Sequence, residues 1–234
     1  MSYRTLSQLI LWLFLVCFSS CVTISYTPSV RLDLSPKTIQ KIVQIDKFLD
    51  STAIKSHKNG YGKFAITNKK SFTGELDLEI TKAIIFDFST NAVFKEAGRK
   101  VDNPDYYLKG IIRKFKGHVT TNGYTKASTI LLYPSAIAGA FSPILYLGVV
   151  PYFTLLLGVP AEKTKAEVEI EIQIYDRNNK MVGKYKAKAE KHFSSSIYKN
   201  ARFGLPNVTN KVLTEVVAKL REQIISDVAS LEGR

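Results

Sequence analysis

Residues 164–193 read TKAEVEIEIQIYDRNNKMVGKYKAKAEKHF, and their alternation decides the fold. Val168, Ile170, Ile172 and Ile174 alternate with Glu167, Glu169, Glu171 and Gln173. A period of two puts the apolar side chains on one face of a strand and the acids on the other. After Asp176-Arg177-Asn178-Asn179, a run of turn formers, Tyr185, Ala187 and Ala189 alternate with Lys184, Lys186 and Lys188. With those four residues as the loop, Tyr175 faces Lys180. Counting outward sets Glu171 opposite Lys184, Glu169 opposite Lys186 and Glu167 opposite Lys188. Opposite charges across an antiparallel pair contribute roughly 0.2–1 kcal/mol each and help fix the register. The lysine row is therefore neutralised by its own hairpin, which argues against a ligand-binding patch.

The flanking segments supply the second layer. Between Asn207 and Leu231, the residues Leu213, Val216, Val217, Leu220, Ile224, Val228 and Leu231 form a helical stripe opposite Lys211, Glu215, Lys219 and Glu222. Upstream, Asp105–Thr121 reads as a long strand and Gly74–Gly98 as a helix. The helix carries its stripe on Leu76, Ile80, Ala83, Ile84, Phe88 and Ala92, with Thr73 as its N-cap. Lys41–Leu49 reads as the first core strand and Asp50–Gly62 as a loop. Before them, the short extended piece Val30–Leu34 is broken by Ser35-Pro36. The order strand, helix, strand, hairpin, helix predicts an α+β fold, a two-layer sandwich in which a mostly antiparallel sheet is packed by two helices.

One segment breaks the pattern. No charged residue occurs from Ala127 to the alanine at 161, and Pro134, Pro143, Pro151 and Pro160 interrupt the run every eight or nine residues. The prolines break any single helix, and no uninterrupted span reaches the roughly 20 residues of a membrane crossing. This apolar insertion, 127–161, has two principal readings: it caps an open end of the core, or it is a contact loop for a membrane or partner. On the second reading Tyr133, Phe141, Tyr146, Tyr152 and Phe153 are the contact residues, being suited to a headgroup boundary or an interface.

The N-terminus has the layout of an export signal. Arg4 is the only charge before the apolar run Leu9–Val16, which is followed by Phe18-Ser19-Ser20-Cys21. Small residues set directly against a cysteine resemble the bacterial lipobox, with Phe18 where leucine is usual. The resemblance implies cleavage before Cys21 and lipidation of its thiol; Val22, not aspartate, implies sorting to the outer membrane. The expected division is a signal peptide over 1–20, a tether over 21–36 and a single domain over 37–234. Cys17 departs with the signal, leaving Cys21 as the sole cysteine of the mature chain, so no internal disulfide or cysteine-based metal site can form. The formal charge of +13 becomes +12 without Arg4 and has two readings of equal weight: the solubility of a lysine-rich protein, or attraction of an anionic partner, for an exported chain a glycolipid, phospholipid or peptidoglycan rather than nucleic acid.

No catalytic motif is present. His57, His118 and His192 are far apart and show no ligand spacing, and Ser194-Ser195-Ser196 reads as a strand end. No catalytic residue, metal ligand or cofactor is therefore assigned, and the chain is read as non-enzymatic. Asp105-Tyr-Tyr-Leu-Lys-Gly110, the stretch from Gly148 to Leu157-Gly158-Val159-Pro160, and Val168–Asp176 before a turn are similar to small envelope lipoproteins. These include the lipopolysaccharide-assembly lipoprotein, auxiliary lipoproteins of envelope transport systems, and the amino-terminal domain of the Tol propeller protein. That resemblance implies an accessory or scaffold role in an envelope assembly or transport complex, lipid-anchored and facing the periplasm. A second resemblance, to the curli-secretion channel lipoprotein, implies an oligomeric pore instead.

Overall fold

A computed structural model describes residues 27, 38–52, 63–66, 75–128, 130, 157–196 and 201–233. The elements in chain order are β1 (Ile39–Ile45), β2 (Leu49–Asp50), β3 (Lys63–Ile66), α1 (Leu76–Thr90), β4 (Phe94–Gly98), β5 (Tyr106–Thr121), β6 (Pro160–Asp176), β7 (Met181–Ser196), α2 (Ala201–Ser226) and α3 (Val228–Glu232). All seven described strands join one sheet, in the order β4-β1-β5-β6-β7, with β2 and β3 also paired to β5. The long strands β5, β6 and β7 are antiparallel; β1 runs parallel to both β4 and β5. The fold is α+β, with the helices on one face of the sheet, as the alternation predicts.

The apolar faces meet in one core. Val168, Ile170, Ile172 and Ile174 of β6 lie under Val212, Leu213, Val216, Val217, Leu220 and Ile224 of α2, all fully buried. Under α1, the buried Ile80, Ile84 and Phe88 share the cluster with Ile39 and Val43 of β1. Burying such side chains contributes about 1.5–3 kcal/mol each relative to exposure, so this face, not helix propensity, holds the helices down. Between the helices, Arg221 of α2 reaches Asp87 of α1 with Nη1 at 2.8 and 3.0 Å from the two carboxylate oxygens.

The first helix is shorter than its sequence pattern suggests. It ends at Thr90, and the expected continuation to Gly98 is instead a turn and strand β4. Asn91 causes the stop: its side-chain amide donates to the Asp87 carbonyl at 3.0 Å, and Ala92 then takes a left-handed φ of 46°. Val93 and Phe94 are freed to enter the core beside β1. The short strand β3, antiparallel to the far half of β5, also has no counterpart in the sequence reading. Strand β1 ends at Ile45, and the expected run to Leu49 breaks where Phe48 turns inward. Thr73 and Val30–Leu34 lie outside the described residues.

The hairpin register departs from the counted one by two residues. Asn179 N–H donates to the Asp176 carbonyl at 3.0 Å, and Asn179 itself takes φ 58°, so the loop is Arg177–Asn179 rather than four residues. Val182 is then an extra residue in β7, between the pairs Tyr175↔Met181 and Ile174↔Gly183. Each offset alone would turn the strand over; together they restore every side chain to its face. Glu171 thus stands opposite Lys186, Glu169 opposite Lys188, and Glu167 opposite Glu190.

Gly110 marks the tightest contact in the core. A Cβ there would fall 2.1 Å from a ring carbon of Phe48, which is buried between β5 and α1. Phe48 cannot retreat easily, since its backbone N–H donates to Thr81 Oγ1 at 3.0 Å. Gly110→Ala is expected to cost about 1–3 kcal/mol of unfolding free energy by overpacking. Urea unfolding checks this, and Phe48→Leu in the same chain should return part of the loss. A Gly110→Ala protein as stable as the parent would show that the ring is not held.

Candidate functional site

The outer face of the sheet, away from the helices, carries its charges in rows. Glu167, Glu169 and Glu171 of β6 run between a basic row on β5 and another on β7. Lys184 reaches Glu171 at 3.1 Å, Lys186 reaches Glu169 at 2.8 Å, and Lys188 reaches Glu167 at 2.9 Å. These are the pairs expected from the sequence, reached diagonally instead of directly across. From the other side Arg113 binds Glu171 at 3.1 Å, and Lys114 binds Glu167 at 3.0 Å and Glu169 at 3.3 Å.

The acids respond strongly to this setting. Burial pushes the Glu167 carboxyl up, but hydrogen bonds from Lys188 and Lys114 outweigh it and hold the pKa at about 2. The Gln173 amide, with Lys184 and Arg113, holds Glu171 at about 2 against its own burial. Lys186 and then Lys114 draw Glu169 below the usual carboxylate range. Every acid in the row is shared by two cations, so the acids are satisfied, while the three lysines of β7 are matched one for one and Arg113 and Lys114 add positive charge to the face.

The opposite character appears where β5 and β6 part. Asn122 ends β5 and staples the opening: its amide donates to the Pro160 carbonyl at 3.0 Å, and its Oδ1 accepts Tyr124 N–H at 2.9 Å, starting a helical turn over 123–128. Thr125 Oγ1 donates to the Ala161 carbonyl at 3.0 Å. These bonds fix the departure and return of the apolar insertion relative to the sheet. Around this opening Ile130 is 70 % exposed and Leu157 85 %, with Tyr124, Val159 and Phe193 also exposed. Large apolar side chains left in water at one end of a domain mark a contact surface more often than chance placement does.

The far end differs. There Arg177 donates to the carbonyls of Asn103 and Pro104 and pairs with Asp105 at 3.0 Å, tying the hairpin tip to the start of β5. A shallow cleft of about 330 Å³ beside it is lined by polar groups, among them Asp46, Lys109, Asp176 and Arg177. A larger cleft of about 650 Å³ runs along α2, lined by Lys191, Asn207, Asn210, Lys211 and Thr214, with Thr27 across it.

The structure brings together some of the singled-out residues and not others. His118 and His192 face each other across Lys165, a row formed by three adjacent strands. His192 Nε2 lies 2.7 Å from Glu190 Oε1, and Lys165 binds the same carboxylate at 2.5 Å. Among the described residues no three His, Cys, Asp or Glu gather as metal ligands. No helix among them is long and apolar enough to cross a membrane. Cys21, His57, Tyr133, Phe141, Tyr146, Tyr152 and Phe153 lie outside the described residues. Sequence reading named the aromatics inside the insertion but missed Tyr124, Leu157 and Phe193 at its base. The signal for those was the pairing of Thr121 with Glu162, which brings segments 40 residues apart to one opening.

No family model matches the chain, and no curated protein does either. Solved structures similar to it in outline include the following three. A Xanthomonas campestris protein of the DUF330 family model has a TM-score of 0.45 at 10 % identity, covering 88 % of this chain and 95 % of its own. A minor lipoprotein of Acinetobacter baumannii has a TM-score of 0.40 at 10 % identity, covering 82 % of this chain and 95 % of its own. The PelC dodecamer of Paraburkholderia phytofirmans has a TM-score of 0.34 at 10 % identity, covering 84 % of this chain and 93 % of its own. At these scores the likenesses assign the chain to no family and no activity.

Proposed function

We propose that this protein is a non-enzymatic lipoprotein of the bacterial outer membrane, anchored through Cys21, that assists or scaffolds an envelope assembly or transport complex. The observation that carries the reading is the N-terminal sequence: one cation, an apolar run too short to span a bilayer, and Ser19-Ser20-Cys21. The folded domain agrees with a binding role. Its charged face is consumed by internal ion pairs, and its exposed apolar side chains collect where the uncharged insertion leaves the sheet. In this reading residues 128–160 meet the partner, a protein of the envelope or an anionic glycolipid.

Metabolic labelling with palmitate tests the anchor, comparing the parent chain with Cys21→Ala after separation of inner and outer membranes. The expected result is a labelled outer-membrane protein, and a variant that takes up no label and leaves that fraction. If the parent takes up no palmitate, Cys21 is incidental and the lipoprotein reading fails. If the unlabelled variant still fractionates with the membrane, the domain holds the bilayer itself, and a ring-forming pore becomes the better reading.

A further inference from the structure

We infer that the open end of the sheet, bearing Tyr124, Ile130, Leu157, Val159 and Phe193, is a membrane-contact surface that lays the domain end-on against an anionic bilayer. The inference deepens the anchored-lipoprotein reading by giving the domain an orientation, but the contact rests on its own observations. Five of the eight large apolar side chains exposed among the described residues gather at this end; the others, Leu49, Phe86 and Met181, are scattered over the molecule. Interfacial contact requires apolar groups that enter the headgroup boundary and cations beside them to meet anionic lipid.

The cations are present. Lys126 and Lys163 flank the opening, both exposed, and neither forms an ion pair with a described acid. The nearby acids are otherwise engaged: Glu190 with Lys165 and His192, and Glu215 with Lys191 and Lys219. Glu162 is half-buried at the base of β6. At the hairpin tip Asp105 and Arg177 pair with each other, and the lining of the cleft beside them is polar rather than apolar.

Chain length permits the same orientation. The Thr27 carbonyl accepts a hydrogen bond from Thr214 Oγ1 at 3.3 Å, which places the tether beside the middle of α2. Five residues separate Cys21 from Thr27, six Cα-to-Cα steps with a reach of about 20 Å. From Thr214 back to Ala201, where α2 begins next to the open end, the helix also measures about 20 Å. A lipid on Cys21 and the apolar opening therefore reach one bilayer together.

The test uses the lipidated protein; its one native tryptophan, Trp12, lies in the signal peptide expected to be removed, and a Trp12→Phe background keeps any uncleaved chain free of native tryptophan. One tryptophan is introduced at an exposed position, as Leu157→Trp or, at the opposite end, Met181→Trp. Each protein is reconstituted with vesicles of phosphatidylethanolamine and phosphatidylglycerol carrying brominated acyl chains. Quenching at 157 at least threefold stronger than at 181 is expected. It should fall at least twofold in Lys126→Glu/Lys163→Glu, each lysine being worth about fivefold at an anionic surface. Equal quenching at the two positions, or stronger quenching at 181, overturns the orientation. Quenching at 157 that is unchanged in phosphatidylcholine vesicles overturns the anionic-surface assignment. A Cys21→Ala companion keeps the two readings apart: loss of its membrane fraction reports on the anchor, whereas the quenching ratio reports on the surface.

Discussion

Arg221→Met is expected to lower the unfolding free energy by about 3–5 kcal/mol. Asp87 is fully buried, and the Arg221 side chain is 5 % exposed. Arg221 Nη1 donates to both carboxylate oxygens, at 2.8 and 3.0 Å, and makes a polar link between the two long helices. Asn91 adds its amide at 3.3 Å from Asp87 Oδ1. Methionine fills much of the arginine's volume but leaves a carboxylate in the core without its guanidinium, and the cost is that of the stranded charge rather than of lost packing. The consequence is a double-mutant test. Asp87→Leu with Arg221→Met removes both charges and should regain most of what the single variant loses, because a buried ion pair is worth little against well-packed apolar groups. Chemical denaturation of the parent, two single variants and the double variant closes the cycle. An Arg221→Met protein within 1 kcal/mol of the parent would falsify the assignment. The pair lies in the helix layer, far from the sheet's open end, so vesicle quenching at position 157 should survive whenever the variant is folded.

This pair also shows where sequence reading reaches its limit. Asp87 and Arg221 are 134 residues apart; helical period puts Asp87 within the stripe of Ile80, Ala83 and Ile84 and Arg221 beside Val217 and Ile224, but it does not say which partner either meets. Local signals carry the hairpin, the long strand β5 and α2, because two-residue and 3.6-residue periods are written in neighbouring side chains. The register slip in the hairpin was beyond reach: Asp-Arg-Asn-Asn fits either loop length, and only Asn179 in the left-handed region with the bulge at Val182 decides it. The end of α1 was hidden by Val93 and Phe94, which continue the apolar content while changing its period. Strand β3 has four residues and a partner only because β5 is long. As for the site, the break of the hairpin by an uncharged insertion was legible. Which exposed side chains surround the opening depended on strand pairing.

Acid should weaken this protein through its charged sheet face, beginning near pH 4.5 and completing near pH 2. Glu167 and Glu171 have carboxyl pKa values held at about 2 in the folded chain, against an ordinary 4.5. A depressed carboxylate stabilises the fold fully above its unfolded value and loses that contribution as pH falls through its folded value. Their flexible lysine partners are partly solvated, so each acid contributes on the order of 1–2 kcal/mol after screening. Glu169, drawn down by Lys186 and Lys114, adds to the same slope. Urea midpoints at pH 7, 4 and 3 should fall in that order, while Glu167→Gln/Glu169→Gln/Glu171→Gln starts lower at pH 7 and falls less, its remaining slope coming from Glu190 and Glu215, which lysines also hold down. A parent midpoint that is flat from pH 7 to 3 would mean that the lysines do not hold the acids. The row has a second consequence. With its acids removed, Arg113, Lys114, Lys184, Lys186 and Lys188 form an uncompensated cationic face that competes with the open end for anionic lipid. In the triple variant, vesicle quenching at position 157 should therefore lose its advantage over position 181. By pairing Lys184, Lys186 and Lys188 with its own acids, the hairpin lowers the positive charge of the sheet face relative to the triple variant, and the open end keeps its advantage as the contact surface.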